Sequence, residues 1–139
     1  MAKTVKPDGH ADTPVQCISN LLEKAQAASA DEKDAYIAAA LDLAKNLDDY
    51  LTETTTPASS SLRSMIDDTM TTDWDELHKS GKTKYHYTTN FCAGTYEAQF
   101  VATLCQLVNA TRVLEVGMFT GTTAAAIAAA LPEDGKVTT

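Results

Sequence analysis

The sequence predicts an α/β fold, in which an N-terminal helical cap precedes the first β-α-β unit of a parallel sheet. From Thr13 to about residue 80, apolar residues recur every three or four positions, the period of amphipathic helices. The pattern then changes to a short, β-branched apolar run at residues 112–116, RVLEV, which is typical of a buried parallel strand. A turn with two glycines and an alanine-rich segment follow that run, and KVTT at residues 136–139 begins a second strand.

Composition favours a globular, acidic protein. Of the 139 residues, 44% are hydrophobic and 22% are charged, which is enough apolar material for a core. The net charge of -8 disfavours contact with the polyanionic backbone of nucleic acids. Polar residues interrupt the most apolar stretch before it reaches the roughly 20 residues of a membrane span. We therefore expect neither a nucleic-acid nor a membrane partner.

The cysteines and the N-terminus indicate a cytoplasmic setting. Cys17, Cys92 and Cys105 lie far apart, and no pair has the two-residue gap of a zinc ribbon or a dithiol redox site. We therefore expect reduced thiols. The N-terminus lacks the hydrophobic segment of a secretory signal, so residues 1–12 are predicted as a flexible polar arm.

Two amphipathic helices are predicted first. Thr13 and Gln16 have capping-box spacing and Pro14 suits the first helical position, so one helix begins there. Its predicted apolar face is Val15, Ile18, Leu22 and Ala25. The second helix opens at Ser29 and is predicted to end at residues 48–50, where two aspartates and a tyrosine follow one another. Its predicted apolar face is Ile37, Ala40, Leu41, Ala44 and Leu47.

Two further helices and a loop complete the predicted cap. Pro57 can start a third helix, and a short fourth helix begins at Thr72 or Asp73 and stops at Gly81. The third helix is predicted to turn Leu62, Met65, Ile66 and Met70 inward. Trp74, in the fourth, is interpreted as a core anchor rather than a stacking platform. Residues 81–94 have no helical period and are interpreted as an exposed, aromatic loop or edge.

A fifth helix follows Gly94 and ends at Asn109, just before the first strand. Its predicted apolar face is Phe100, Val101, Leu104, Cys105 and Val108. A sixth helix is predicted for residues 122–131, and PEDG then turns the chain into the second strand. Because a parallel sheet needs more than one strand and a stub ending at Thr139, we expect the chain to be the N-terminal piece of a larger protein.

The turn between strand and helix is a candidate ligand site. Glu115 ends the strand, and Gly117 and Gly121 enclose a turn that leads into a helix N-terminus, where free N–H groups gather. The spacing is G-x-x-x-G rather than the G-x-G-x-x-G of dinucleotide sites, and Glu115 would repel a phosphate. A cationic ligand such as S-adenosylmethionine fits better than NAD. The alternative is a structural turn with Glu115 in solvent.

The segment RVLEVGMFTGTTAAAIAAALPEDGKV resembles the first cofactor motif of the caffeoyl-CoA O-methyltransferase-like family, and the preceding GTYEAQFVATLCQLVNA resembles that family's adjoining helix. More loosely, LDDYLTETTTPASSSL and the Asp73-Trp74 pair resemble the branch that makes gadusol-type precursors of mycosporines. The resemblance implies a Rossmann-like domain that binds S-adenosylmethionine, with a divalent metal whose ligands lie outside this chain.

Carried over by position, the resemblance makes Glu115 the partner of the cofactor's amino group and Thr123 a partner of its carboxylate. Thr122 and Ala93 depart from the family, which often has a tyrosine or asparagine at the first position and a threonine at the second. The predicted cofactor-binding residues are Ala93, Glu115, Gly117, Met118, Phe119, Gly121 and Thr123. The implied division is an arm at 1–12, a helical cap and loop at 13–93, and an incomplete cofactor domain at 94–139.

His78, in the predicted fourth helix, and His86, in the loop, are further candidates among nearby lysines and tyrosines. They could form a substrate lid or a cationic patch, but a solvated loop explains them as well, because no metal-ligand spacing is present. The adjacent pairs at residues 48–49 and 67–68 point different ways on a helix, so they are interpreted as solvated carboxylates.

The leading hypothesis is an S-adenosylmethionine-dependent O-methyltransferase acting on a hydroxyl of a small metabolite, with a gadusol or mycosporine precursor as one candidate. We expect this chain alone to be inactive, and a homodimer is a candidate assembly. One alternative is a non-catalytic paralogue whose residues 13–80 pair with another protein. A third hypothesis is a nicotinamide-binding domain.

Overall fold

The computed structural model describes residues 13–139, so the arm predicted at residues 1–12 lies outside the described residues. The chain divides into two compact units, one up to Glu53 and one from Thr54 to Thr139. The two units meet between residues 53 and 54, whereas the cofactor domain was predicted to begin at residue 94. The predicted start of the cofactor domain stays a prediction. The two units are described in turn.

The first unit contains two helices, α1 (Pro14–Ala27) and most of α2 (Ala30–Thr54). The Thr13 hydroxyl accepts a hydrogen bond from the Gln16 backbone N–H at 3.2 Å, which confirms the predicted cap. The predicted end of α2 at residues 48–50 is wrong, because the helix continues to Thr54. Neither Asp nor Tyr removes a backbone donor, and the first residue that does so is Pro57.

The predicted faces of both helices need correction. Leu21 and Ala25 are buried in α1, whereas Val15 and Leu22 are 68% and 44% exposed. In α2, Ala40 is buried, but Ile37 and Leu41 are exposed. Apolar residues on adjacent positions fit two neighbouring helical stripes equally well, since each residue turns the helix by about 100°. Sequence spacing alone therefore did not select the stripe that is buried.

The second unit begins with two capped helices, α3 (Ser60–Thr71) and α4 (Trp74–Lys79). Ser59 caps α3, so this helix begins three residues after the Pro57 start that we predicted. Asp73 caps α4 by accepting from the Glu76 N–H at 2.9 Å. Gly81 follows α4 at φ +74° and donates to the His78 carbonyl, which confirms the predicted stop.

The rest of the second unit is the predicted α/β part. A loop with one 3-10 turn (Thr89–Phe91) leads into α5 (Gly94–Leu107), and β1 (Arg112–Leu114), α6 (Thr122–Ala130) and β2 (Lys136–Thr138) follow. The two strands are parallel, with Val113 opposite Val137. The predicted β-α-β unit is confirmed, although β1 is shorter than the apolar run that predicted it.

A core of small side chains holds this unit together. α6 packs against α5, α3 and β2, and alanines on α5 and α6 let the helices approach closely. The buried cluster consists of Ala58, Leu62, Ala98, Ala102 and Ala126. Cys105 is buried as predicted, but the predicted α5 face is otherwise largely wrong: Phe100, Leu104 and Val108 are exposed. Met70 of α3 is exposed as well.

None of the helices within residues 13–139 combines the length and the apolar character that crossing a membrane requires. All three cysteines are free thiols.

Candidate functional site

The turn between β1 and α6 has an unusual backbone. Gly117, Phe119 and Gly121 have φ angles of +97°, +51° and +84°, and the Gly121 N–H donates to the Met118 carbonyl at 2.9 Å. Glycine adopts positive φ without a steric cost, which explains why glycine occupies positions 117 and 121 of the turn. Because every second residue from 117 to 121 has a positive φ, this segment forms a tight turn. The turn lies at the carboxyl end of β1, where open α/β sheets bind their ligands.

The need for glycine here is conformational rather than spatial. A Cβ on Gly117 would meet no atom within 4 Å, and a Cβ on Gly121 would make ordinary contacts, at 3.6 Å from Met65 Cε and 3.8 Å from Met118 Cγ. The left-handed φ of Gly121, rather than a close neighbour, therefore explains the glycine at this position.

Glu115 lies between β1 and this turn. Its N–H donates to the Thr138 carbonyl at 2.8 Å, which ties the residue to the sheet. Its Oε2 atom is buried and has no hydrogen-bond partner among the described residues. An unsatisfied buried acceptor costs about 1–3 kcal/mol, so a donor from a ligand would stabilise this arrangement. The alternative of a fully solvated Glu115 does not describe this oxygen.

The start of α6 contacts the loop before α5. Thr122 is only 3% exposed, and its Oγ1 atom lies 3.8 Å from Cys92 Sγ. This contact places Ala93, the next residue of the loop, close to the N-terminal end of α6. Thr123 is half-buried, whereas Met118 is 49% exposed. The two adjacent threonines therefore differ: one is enclosed by protein, and the other has part of its surface open.

Four aromatic side chains meet at the turn. The ring centroid of Phe119 lies 4.9 Å from that of Trp74, 5.4 Å from that of Tyr87 and 5.8 Å from that of Phe91. Trp74 donates its Nε1–H to the Thr69 carbonyl at 2.9 Å, which fixes the indole, but it is only half-buried and lies outside the buried core that we predicted it to anchor. We call Trp74, Tyr87, Phe91 and Phe119 the aromatic cluster. Sequence reasoning missed the cluster, although an aromatic residue between two turn glycines was a usable signal.

The candidate histidines contact each other, and His86 contacts α4. His86 Nε2 is 2.6 Å from Asp75 Oδ1, and the rings of His78 and His86 stack with centroids 5.1 Å apart. The hydrogen bond from His86 lowers the pKa of Asp75, and the charge of protonated His86 lowers it further. The loop is thus attached to α4 rather than fully solvated. Within residues 13–139 no three His, Cys, Asp or Glu side chains are grouped to hold a metal ion.

An open hollow of about 210 Å³ adjoins the turn on the side of α3 and α4. Thr120 lines it, and the Thr120 Oγ1 atom is buried without a partner among the described residues. The other lining residues are Met65, Asp68, Thr69, Thr72 and Trp74.

Residues 67–139, just over half of the chain, match the model of a family described as O-methyltransferase. The chain belongs to this family. The match covers the turn, both strands and the aromatic cluster, and it confirms the family indicated by the cofactor motif. The fold agrees as well, since helices followed by a parallel β-α-β unit are the opening part of an α/β methyltransferase domain.

Curated relatives point the same way. The chain is 43% identical over 63 residues to a caffeoyl-CoA O-methyltransferase of Populus kitakamiensis. The aligned residues are 45% of this chain and 27% of that protein. It is 49% identical over 41 residues to caffeoyl-CoA O-methyltransferase 2 of Petunia hybrida, covering 30% and 17%. A probable caffeoyl-CoA O-methyltransferase 3 of Dictyostelium discoideum is 35% identical over 71 residues, covering 46% and 28%.

The chain therefore spans between 17% and 28% of the length of these three curated relatives. No solved structure matches the chain significantly. These comparisons establish the family, while the seven predicted cofactor-binding residues stay predictions.

Proposed function

We propose that the protein is an S-adenosylmethionine-dependent O-methyltransferase, and that the β1–α6 turn of this chain holds the methionine end of the cofactor. The observation that carries the proposal is the buried Oε2 atom of Glu115, which has no partner among the described residues and lies next to a turn with three positive φ angles. The family match supports the class of reaction.

The charge of the site favours this cofactor over a nucleotide with phosphates. S-adenosylmethionine carries an ammonium and a sulfonium, and an ammonium N–H donated to Glu115 Oε2 would satisfy the buried acceptor. A pyrophosphate at the same turn would place negative charge beside a carboxylate. Glu115, which precedes the turn, therefore disfavours the nicotinamide-binding hypothesis.

When bound, S-adenosylmethionine would supply an electrophilic methyl group: the acceptor hydroxyl oxygen would bond to the methyl carbon as the carbon–sulfur bond breaks, S-adenosylhomocysteine would leave, and a base would take the hydroxyl proton. The residues of this chain bind the methionine end of the cofactor and orient it. Glu115 accepts from the amino group, and the Thr123 hydroxyl donates to the methionine carboxylate. Backbone atoms of Gly117, Met118 and Gly121 line the same end, with Phe119 and Ala93 beside them. Among the described residues, no group of three His, Cys, Asp or Glu side chains could hold a divalent metal.

The acceptor we propose is a hydroxylated small molecule. The three relatives named above are caffeoyl-CoA O-methyltransferases or probable ones. The net charge of -8 favours an uncharged or cationic acceptor over a polyanionic thioester. The comparisons support neither a gadusol-type acceptor nor the pairing-module alternative, and no contact among residues 13–139 favours either. A homodimer likewise remains a prediction.

The test is calorimetric titration of the complete protein with S-adenosylmethionine, comparing wild type with Glu115→Gln. This substitution keeps the size of the side chain and removes its charge. A charge-assisted hydrogen bond contributes about 1.5–3 kcal/mol, so we expect affinity to fall about 10- to 150-fold.

Glu133→Gln is the matched control, because Glu133 is an exposed acid in the turn after α6 and changes the net charge equally. We expect its affinity to equal that of wild type. Unchanged affinity in a folded Glu115→Gln variant would remove Glu115 from the site. Absence of binding by wild type would contradict the proposed cofactor.

A further inference from the structure

Phe119 has a backbone conformation that its residue type rarely adopts. Its φ of +51° lies in the left-handed region, where a Cβ crowds the following carbonyl. The described residues contain one other non-glycine residue with positive φ, Asn109, and asparagine tolerates this region through local hydrogen bonding. A phenylalanine persists there only if its surroundings hold it.

Those surroundings are the other three rings of the aromatic cluster. Trp74 lies nearest, with an interplanar angle of 39°, and Tyr87 and Phe91 are both tilted by 46° against Phe119. Tyr87 also contacts Trp74 at 6.5 Å and Phe91 at 5.7 Å, both edge to face. The two edge-to-face contacts of Tyr87 have a favourable geometry for aromatic rings, and the three tilted contacts of Phe119 have centroid distances of 4.9–5.8 Å, at which aromatic rings attract one another.

The three rings come from different segments of the chain: Trp74 begins α4, Tyr87 lies in the loop after Gly81, and Phe91 lies in the 3-10 turn before α5. The indole of Trp74 is fixed by its hydrogen bond to the Thr69 carbonyl at the end of α3. Tyr87 follows His86, which is joined to Asp75 of α4 at 2.6 Å. Phe91 ends the 3-10 turn that leads into α5. Three separate segments therefore converge on one residue of the turn.

We propose that Trp74, Tyr87 and Phe91 are positioning residues for the cofactor turn. They hold the Phe119 ring, and the ring holds the backbone of residues 117–121 in the conformation that receives the methionine end of S-adenosylmethionine. This inference rests on the proposed function for its ligand, but the conformational part concerns the ligand-free protein. None of the three residues has to touch the cofactor.

The first experiment follows the turn without ligand. Tyr87→Ala removes one ring from Phe119, Tyr87→Phe keeps the ring and loses only the hydroxyl, and Tyr85→Ala is the matched control. Tyr85 is 59% exposed, and the rings it contacts include Tyr87 but not Phe119. The readouts are the amide chemical shifts of residues 117–121 and the emission of Trp74, the single tryptophan of the chain.

We expect Tyr87→Ala to shift the turn amides and the Trp74 emission, and Tyr87→Phe and Tyr85→Ala to leave both close to wild type. Unchanged turn amides in a folded Tyr87→Ala variant would overturn the proposal. If that variant does not fold, Tyr87→Leu keeps apolar volume without a ring, and the same comparison decides.

The second experiment measures affinity for S-adenosylmethionine in the complete protein. The energy of one aromatic pair corresponds to about a 2- to 10-fold change in affinity, so we expect Tyr87→Ala to weaken S-adenosylmethionine binding by that factor. We expect Tyr87→Phe to bind with wild-type affinity. Equal affinity of wild type and Tyr87→Ala would overturn the positioning role.

The two proposals fail in different ways. If wild type does not bind S-adenosylmethionine, the proposed function is contradicted. The ligand-free amide shifts still decide whether the rings set the turn.

Discussion

His86 Nε2 lies 2.6 Å from Asp75 Oδ1, and the contact joins the loop after Gly81 to α4. Both side chains are more than half exposed, at 53% and 65%. Because an exposed ion pair is screened by water, its contribution to the stability of the fold is small, and its main effect is to attach the loop to α4. Tyr87, the residue after His86, contacts Phe119 of the turn between β1 and α6.

The pKa of Asp75 lies below its ordinary value of 3.8, and we expect His86→Asn to raise it toward that value. The hydrogen bond and the charge of His86 are the first two causes, whereas Lys79 and His78 contribute smaller ones. The measurement is a carboxyl NMR titration of Asp75. Lys79→Gln is the control and should move the pKa less, and an equal effect of the two variants would contradict the role of His86.

The same contact has a defined effect on stability against pH. A lowered folded-state pKa contributes stability above the unfolded value, near 3.8, and this contribution is lost as the pH falls through the folded value. We therefore expect Asp75→Asn to lose stability at pH 5 and to equal wild type below the folded pKa. Urea unfolding at both pH values measures this, and a deficit that persists at the lower pH would point to another cause.

Gly121→Ala should be unfavourable through its backbone alone. A Cβ there has room, but φ +84° costs a side chain about 1–2 kcal/mol. Gly81→Ala, at φ +74° with open space around it, is the matched control. We expect both variants to lose similar stability in urea unfolding, and only Gly121→Ala to lose affinity for S-adenosylmethionine as well. Equal affinity of the two would show that the exact shape of the turn does not matter for binding.

Local signals predicted the element types well and the buried faces poorly. Thr13 and Asp73 each cap a helix through contacts three residues apart, so the sequence contains the whole signal. The buried face of α5 depends instead on which helices lie against it. There the small residues Ala98 and Ala102 are buried and the large Phe100 is exposed, the reverse of what hydrophobicity suggests.

The candidate site shows the same limit. Glu115 and its two neighbouring glycines are close in sequence, so their turn was predictable. The aromatic cluster joins residues from Trp74 to Phe119, and nothing in a single sequence indicates which distant rings meet. The left-handed φ of Phe119 was also unpredictable, because tertiary contacts rather than residue preference hold it there.

Gly135→Ala should destabilise the β-α-β unit for a steric reason. A Cβ at this position would lie 2.6 Å from Leu131 Cβ and 2.8 Å from the Pro132 carbonyl oxygen. Both atoms belong to or adjoin the backbone, so the turn before β2 must shift, at a cost of about 1–3 kcal/mol. Asp134→Ala, at the exposed neighbouring position, is the control. Urea unfolding measures the two, and equal stability would mean that the turn relaxes freely.

Thr122 and Thr123 are adjacent and should respond oppositely to replacement by valine. Thr122 is 3% exposed and contacts Cys92, so its loss should appear as reduced stability with little effect on the cofactor. Thr123 is half-buried and is proposed to donate to the methionine carboxylate. A hydrogen bond contributes about 0.5–1.5 kcal/mol, so Thr123→Val should weaken S-adenosylmethionine binding about 2- to 10-fold.

The measurements for this pair are urea unfolding and calorimetric titration of both variants of the complete protein. Thr123→Ser keeps the hydroxyl and should retain wild-type affinity, which separates the hydrogen bond from the shape of the side chain. If Thr122→Val weakens binding more than Thr123→Val does, the two roles are exchanged. The hydroxyl that serves the cofactor would then be the one that now contacts Cys92, and the loop before α5 would have to move when the cofactor binds.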